Sequence, residues 1–175
     1  MVEAITFQTI FQFLQTVSIM VGITYYILNL RNSQKTRETS LSLQFYSNIT
    51  NKEFWKTWTD VTFTQKWENY QEWADNYGPH VNPDAASNLY TVMQIFVGAG
   101  TMLKKHLVDP QELFEYIPHM VLPQTYMKVK PFIEAMKVRY NDPSFGESFE
   151  YLYNEAIRLY PGIRVPSEPT GTLQE

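Results

Sequence analysis

The stretch AITFQTIFQFLQTVSIMVGITYYILNL, residues 4–30, has no charged side chain over 27 positions, and the first charges after it are the basic Arg31, Lys35 and Arg37. A helix rises about 1.5 Å per residue, so roughly 20 apolar residues cross the hydrocarbon core of a bilayer. The pattern therefore predicts a transmembrane anchor at residues 1–30.

Two other kinds of segment are alternatives to an anchor. A cleaved signal peptide needs a basic start and a small-residue cleavage site, but the first nine residues carry only Glu3 as a charge and no such site follows. A buried helix of a globular core seldom needs so long an uncharged run. Tyr25 and Tyr26 near the basic end are typical of the aromatic belt at a membrane surface.

The basic residues also predict an orientation. Lys and Arg are retained on the cytoplasmic side of a membrane, so we expect a single-pass protein of the cell membrane with its N-terminus outside and its C-terminal domain in the cytoplasm. The chain has no cysteine, which fits a reducing compartment. The lipid bilayer is thus the first predicted partner.

Several of the polar and small residues that interrupt the anchor lie on one side. Gln8, Gln12, Gln15 and Gly22 lie near one helical face, and Ser18 with Gly22 adds a pair of small residues on a neighbouring stripe. Such a face favours association of membrane helices, because small residues allow close approach and Gln forms hydrogen bonds between helices. The predicted partner is another membrane protein or a second copy of the chain. Alternatively, Gln8 and Gln12 lie among the headgroups and bind water.

The rest of the chain is predicted to form a helical stalk, one helical domain and a tail. Residues 31–49 contain no Gly or Pro and predict a helical stalk, residues 50–162 a compact bundle of about five to six helices, and residues 163–175 a flexible tail. No alternation of apolar and polar residues indicates a sheet. The predicted class is all-α.

Turn and capping residues indicate where the helices begin. We expect starts at Thr50 or Asn51 and at three pairs in which Asn or Asp precedes Pro, because such residues cap a helix and open its first turn. These pairs are Asn82–Pro83, Asp109–Pro110 and Asp142–Pro143.

A later helix, predicted from about Leu122 to Tyr140, contains two residues of interest. We expect Pro131 to introduce a kink or a boundary, because proline removes a backbone donor and clashes with the preceding turn. Lys128 is expected on the outward face of this helix. The expected core positions of the helix are therefore its apolar residues.

No catalytic, cofactor or metal site follows from the sequence. The three histidines, His80, His106 and His119, include no pair spaced for one helical face, and Glu115 with His119 is interrupted by Pro118. No strained turn around a nucleophile is present. Enzymatic activity is thus less expected than binding.

Two further patterns have ordinary structural interpretations. Gly98–Ala99–Gly100 lacks the third glycine and the preceding strand of a dinucleotide site, and is expected to let another helix pack closely. The carboxylates of Glu147, Glu150 and Glu155 are expected on an exposed charged face rather than in acid–base catalysis.

The composition argues against nucleic acid as a partner, since the net charge is −4 and no basic stripe interleaved with aromatic residues occurs. Four tryptophans, Trp55, Trp58, Trp67 and Trp73, lie close together in the sequence. Most such clusters are core, but an exposed share would form a docking surface for a protein or for lipid headgroups.

The second half of the chain resembles a family of uncharacterised prokaryotic proteins, catalogued as a domain of unknown function. The resemblance is carried by Gly98 to Pro110, Lys130 to Ile133, Arg139 to Pro143 and Phe149 to Leu152. It implies one N-terminal membrane helix followed by a small helical cytoplasmic domain. It implies no catalytic residue.

These patterns predict a membrane-anchored protein-interaction module, an accessory or scaffold subunit of a membrane complex. The basis is the combination of an association-prone anchor, an aromatic-rich helical domain and no recognised catalytic set. The alternative is a membrane-tethered sensor or enzyme that uses a pocket within the helical bundle.

Overall fold

The computed structural model describes residues 7–118 and 120–162. Over these residues the chain forms helices and no β-strand, which confirms the predicted all-α class. The start of the predicted anchor (residues 1–6), His119 and the predicted tail at 163–175 lie outside the described residues. The helices are α1 (Phe7–Thr50), α2 (Lys52–Thr59), α3 (Tyr70–Tyr77), α4 (Pro83–Lys104), α5 (Pro110–Tyr116), α6 (Val121–Tyr140) and α7 (Glu147–Leu159), and a π-helical turn (Asp60–Thr64) directly follows α2.

Helix α1 carries the apolar segment. Its most apolar 18-residue window has a mean hydropathy of 1.4, and 0% of that window is buried. A helix of a globular core would instead bury such residues. Of the described part of the chain, one helix is thus long and apolar enough to cross a membrane. Its exposed apolar side chains include Phe7, Ile10, Phe11, Phe13, Leu14, Val17, Ile19, Met20, Val21, Ile23, Ile27, Leu28 and Leu30.

The chain divides into two compact units, Met1–Ser40 and Leu41–Glu175. In the second unit, the last part of α1 belongs to the core, because Ser42, Phe45 and Ile49 are buried. The segment predicted as a stalk is therefore helical, and its final turns are packed.

Helix α4 is the central helix of the second unit. It packs against α7, α2, α3 and the π-helical turn. One face of α4 is fully buried, with Leu89, Val92 and Phe96 at 0% exposure. The Phe96 ring stacks on Phe149 of α7 with 5.2 Å between ring centroids. The apolar stripe of α4 is thus the main wall of the core.

Side-chain caps confirm three of the predicted helix starts. The Asn51 side chain accepts from the Phe54 backbone N–H at 2.7 Å. Two further side-chain oxygens cap in the same way: that of Asn82 accepts from the Ala85 N–H at 3.0 Å, and that of Asp109 from the Gln111 N–H at 2.8 Å. Each satisfies a backbone donor that the first helical turn leaves free.

The start predicted at Asp142–Pro143 is wrong. Helix α7 begins at Glu147, after Gly146 in the left-handed conformation with φ 74°. The Asp142 carboxylate accepts from the backbone N–H and the hydroxyl of Ser144, at 2.9 and 2.7 Å, and so closes a turn instead of opening a helix. Pro131 also forms no boundary, because α6 continues through it.

Gly100 determines how closely α7 approaches α4. A Cβ atom at this position would overlap the Ser148 backbone carbonyl and lie 3.3 Å from the Leu152 Cβ. Next to it, the Thr101 hydroxyl lies 3.1 Å from the Ser148 hydroxyl, and Lys104 pairs with Glu147 at 2.8 Å. The two backbones are therefore in direct contact, and only glycine fits between them.

Gly100→Ala is expected to lower the free energy of unfolding by about 1–3 kcal/mol, because a backbone carbonyl must move to admit the methyl group. The matched control is Gly98→Ala in the same helix, where a Cβ would meet nothing within 4 Å. That change should raise stability by about 0.5–1 kcal/mol, since Ala favours helix over Gly. Urea unfolding of the full chain in detergent, followed by tryptophan fluorescence, measures both. Equal changes in unfolding free energy for Gly100→Ala and Gly98→Ala would contradict the close contact between α4 and α7 at Gly100.

Candidate binding groove

A groove of about 540 Å³ lies between the last part of α1 and one face of α4, within the unit Leu41–Glu175. Small-molecule sites commonly measure roughly 300–1,000 Å³. The lining positions recur at three and four residues on each helix, as expected for two helical faces. They are Leu41, Gln44, Phe45 and Asn48 of α1, and Ser87, Tyr90, Thr91, Gln94, Ile95, Gly98, Ala99 and Met102 of α4.

The lining of the groove contains no charged side chain. Its floor is apolar, and its edges carry the carboxamides of Gln44, Asn48 and Gln94. Each carboxamide offers both donors and an acceptor. None of the three forms a side-chain hydrogen bond within residues 7–118 and 120–162. The groove thus combines apolar surface with free, neutral hydrogen-bonding groups.

Tyr90 is the one phenol among the residues that line the groove. Its ring packs on Trp73 and Phe132, each with 6.1 Å between ring centroids. Partial burial raises the pKa of Tyr90, and the neighbouring Tyr70 and Tyr140 raise it further, against Arg139, which lowers it. The phenol therefore stays neutral at physiological pH and can donate a hydrogen bond.

Gly98 provides the open part of the groove. A Cβ at this position would meet no atom within 4 Å, in contrast to Gly100. The prediction that Gly98–Ala99–Gly100 admits a close helix is thus confirmed at Gly100, which packs on α7, while Gly98 faces unfilled space. A methyl group at Gly98 would therefore displace no neighbouring atom.

The structure does not place the four tryptophans on a common exposed surface. Trp58, Trp67 and Trp73 are buried, and Trp55 is half-buried. The Trp58 Nε1–H donates to the Thr125 hydroxyl at 2.7 Å. Three of the four rings thus belong to the core of the second unit, as most such clusters do, and only Trp55 keeps a partly exposed ring for the predicted docking surface.

The predicted association face of the membrane segment is not covered by the rest of the described chain. Gln8, Gln12, Gln15, Ser18 and Gly22 are all exposed on α1. Their role in helix association stays a prediction, which the structure of one chain does not test.

The acidic residues of α7 form ion pairs, but the exposed face predicted for them holds for Glu147 alone, because Glu150 and Glu155 are half-buried. Glu147 pairs with Lys104, Glu150 with Lys137 at 3.3 Å, and Glu155 with Arg158. His80 and His106 are exposed. Among residues 7–118 and 120–162, no group of three or more His, Asp or Glu side chains could hold a metal ion.

Over residues 7–118 and 120–162, the protein is all-α, with one helix long and apolar enough to cross a membrane and a helical domain that carries an uncharged groove. A family profile described as a domain of unknown function, DUF4760, matches residues 16–156, and the chain belongs to this family. The match confirms the resemblance to an uncharacterised family, whose membrane and prokaryotic character stay predictions. No curated protein and no solved structure matches the chain.

Lys128 is a residue that the sequence interpretation missed. Its ammonium group donates to the Trp67 backbone carbonyl at 3.0 Å and lies 4.3 Å from the Trp67 ring centroid, so it is not directed outward as predicted. Burial lowers the pKa of Lys128 to about 8, and Lys66 lowers it further, against Glu68 and Glu72, which raise it. No local pattern around Lys128 indicates this, because Trp67 is 61 positions away.

Lys128→Met is expected to remove a pH-dependent part of the stability. Between about pH 8 and 10.5 the unfolded chain holds a proton on Lys128 that the folded chain has released, so the free energy of unfolding of the native protein rises with pH. In the variant, the free energy of unfolding should not rise between about pH 8 and 10.5. Below about pH 8 it should depend on pH as in the native protein. Urea unfolding at a series of pH values measures it.

Lys130→Met is the matched control, since Lys130 is an exposed lysine of the same helix. It should keep the native pH profile. A rise that survives in Lys128→Met would contradict the assignment of the low pKa to this buried amine.

Proposed function

We propose that this protein is anchored in the cell membrane by the apolar part of α1, with the N-terminus outside and the helical domain in the cytoplasm. Two observations support the proposal. The apolar side chains of residues 7–30 are exposed. The basic residues that follow, Arg31, Lys35 and Arg37, are of the kind retained on the cytoplasmic side.

The proposed role is that of an accessory or scaffold subunit that binds another membrane protein. The observation that carries this role is the groove between α1 and α4. Its α4 wall extends from Ser87 to Met102, roughly 22 Å along the helix axis. An elongated groove lined by two helical faces suits an α-helix of three to four turns, as in helix-in-groove recognition.

The groove also defines the chemistry of the helix that it would accept. Since no lining residue is charged, the contacting face of the partner should be uncharged. Apolar side chains would pack on Phe45 and Met102, and a hydroxyl or amide would pair with Gln44 or Gln94. At Gly98 the groove is open, so a side chain of the partner could approach the α4 backbone there.

The alternative function is a membrane-tethered sensor or enzyme in which the groove holds a small molecule. The volume of about 540 Å³ and the three free carboxamides favour this alternative specifically. A neutral ligand with both donors and acceptors would match them. The two functions can be told apart by blocking the groove: the first predicts loss of a bound protein, and the second predicts loss of a bound small molecule.

Gly98→Phe is expected to fill the groove and abolish binding there, with Gly98→Ala as the matched control that leaves it open. Both variants should fold, because Gly98 is exposed and a Cβ there has no neighbour within 4 Å. After mild solubilisation of native membranes, a partner protein should co-purify with the native chain and with Gly98→Ala. Its recovery should fall at least roughly tenfold with Gly98→Phe, about 1.4 kcal/mol of binding free energy.

The same purification separates the alternatives when native mass spectrometry is added. Loss of a bound small molecule from Gly98→Phe, with no protein lost, would support the sensor or enzyme. Equal recovery of every companion with both variants would overturn the assignment of function to the groove.

The proposed membrane anchor and its orientation can be tested separately from the groove. The full chain should stay in the membrane pellet after an alkaline carbonate wash, because residues 7–30 bury their apolar surface in lipid. Protease added to the outer face of sealed cells should leave the helical domain intact. Release by the wash would contradict the anchor, and digestion of the domain in sealed cells would contradict the orientation.

A further inference from the structure

Three hydroxyls and the glutamine carboxamides of the membrane segment differ in how they are hydrogen-bonded in α1. The hydroxyls of Thr16, Ser18 and Thr24 each donate to the carbonyl oxygen four residues earlier, at 3.0, 2.8 and 2.8 Å. These hydrogen bonds lie within the helix itself. The three hydroxyls therefore need no partner when the helix is in lipid.

The glutamine side chains differ from the hydroxyls. The carboxamides of Gln12 and Gln15 are exposed and form no side-chain hydrogen bond with the described part of the chain. About 20 residues before Arg31 span the hydrocarbon, which places Gln15 inside it, Gln12 in its first turn and Gln8 beyond its edge. An amide without a partner is costly there, because no water is present to replace one.

A second copy of the same helix can satisfy these groups. Two copies in one membrane have the same orientation, so Gln12 and Gln15 of each lie at the same depth. A carboxamide is both donor and acceptor, so it pairs with its own copy across a two-fold axis. On the same face, Gly22 has no neighbour within 4 Å of a Cβ position and permits close approach of the two helices.

We infer that the protein forms a parallel homodimer through α1, with Gln12, Gln15 and Gly22 at the interface. The inference rests on the membrane anchor proposed above. A second copy is favoured over a different protein for two reasons: the self-complementary amides lie at matching depth, and residues 4–30 offer no charge with which a different helix could pair.

The absence of cysteine from the chain allows a direct test by disulfide cross-linking. At 100° per residue, Ile19 and Tyr26 lie on the face of Gln12 and Gln15, whereas Val17 and Thr24 lie on the opposite side. Single Ile19→Cys and Tyr26→Cys variants of the full chain, in phosphatidylcholine vesicles with a mild oxidant, should form covalent dimers. Val17→Cys and Thr24→Cys should stay monomeric.

A second set of changes tests the amides. In the Ile19→Cys background, Gln12→Leu with Gln15→Leu should weaken dimerisation roughly 3- to 10-fold, as expected for a few hydrogen bonds between membrane helices. Thr16→Val is the matched control, because its hydroxyl is bonded within the helix. It should leave the yield of covalent dimer unchanged.

The outcomes separate this inference from the anchor on which it rests. Cross-linking confined to Ile19→Cys and Tyr26→Cys supports the dimer. Equal cross-linking at all four positions, or none in protein that resists the alkaline wash, overturns the dimer and leaves the anchor in place. Protein released by the wash overturns the anchor and the dimer together.

Discussion

The contact between the backbones of α4 and α7 at Gly100 is the constraint on which the helical domain depends. Because no side chain separates the two helices there, Phe96 can stack on Phe149 and the apolar face of α4 is sealed. Gly98 lies about 200° around the same helix, on a face that α7 does not reach. One helix thus has a packed face and an open face, and the open face forms a wall of the groove.

Much of the fold could be predicted from the sequence, because its helix starts rest on local hydrogen bonds. Asn51, Asn82 and Asp109 cap the helices that follow them, and the interaction needs only the next three residues. Asp142 shows the limit of this reasoning. The same carboxylate can also accept from a nearby turn, and here it bonds to Ser144, so the local pattern does not distinguish a cap from a turn.

The groove and the position of Lys128 could not be predicted, because both depend on residues far apart in the chain. The groove joins the turns of α1 around Phe45 to the face of α4 around Gly98, and no pattern within either segment specifies the other. The same applies to Trp67, whose burial under Lys128 depends on α6. The cluster of tryptophans indicates large apolar surface, but tertiary packing decides whether that surface is core or exposed.

The uncharged lining of the groove has a consequence for the kinetics of whatever binds there. Without charged groups in the wall, the bound state gains no ion pairs with the lining, so the lifetime of a complex should change little with ionic strength. Differences in affinity among partners would then lie in how long each one stays bound. Occupancy of the groove is therefore governed by residence time and by the local concentration of the partner.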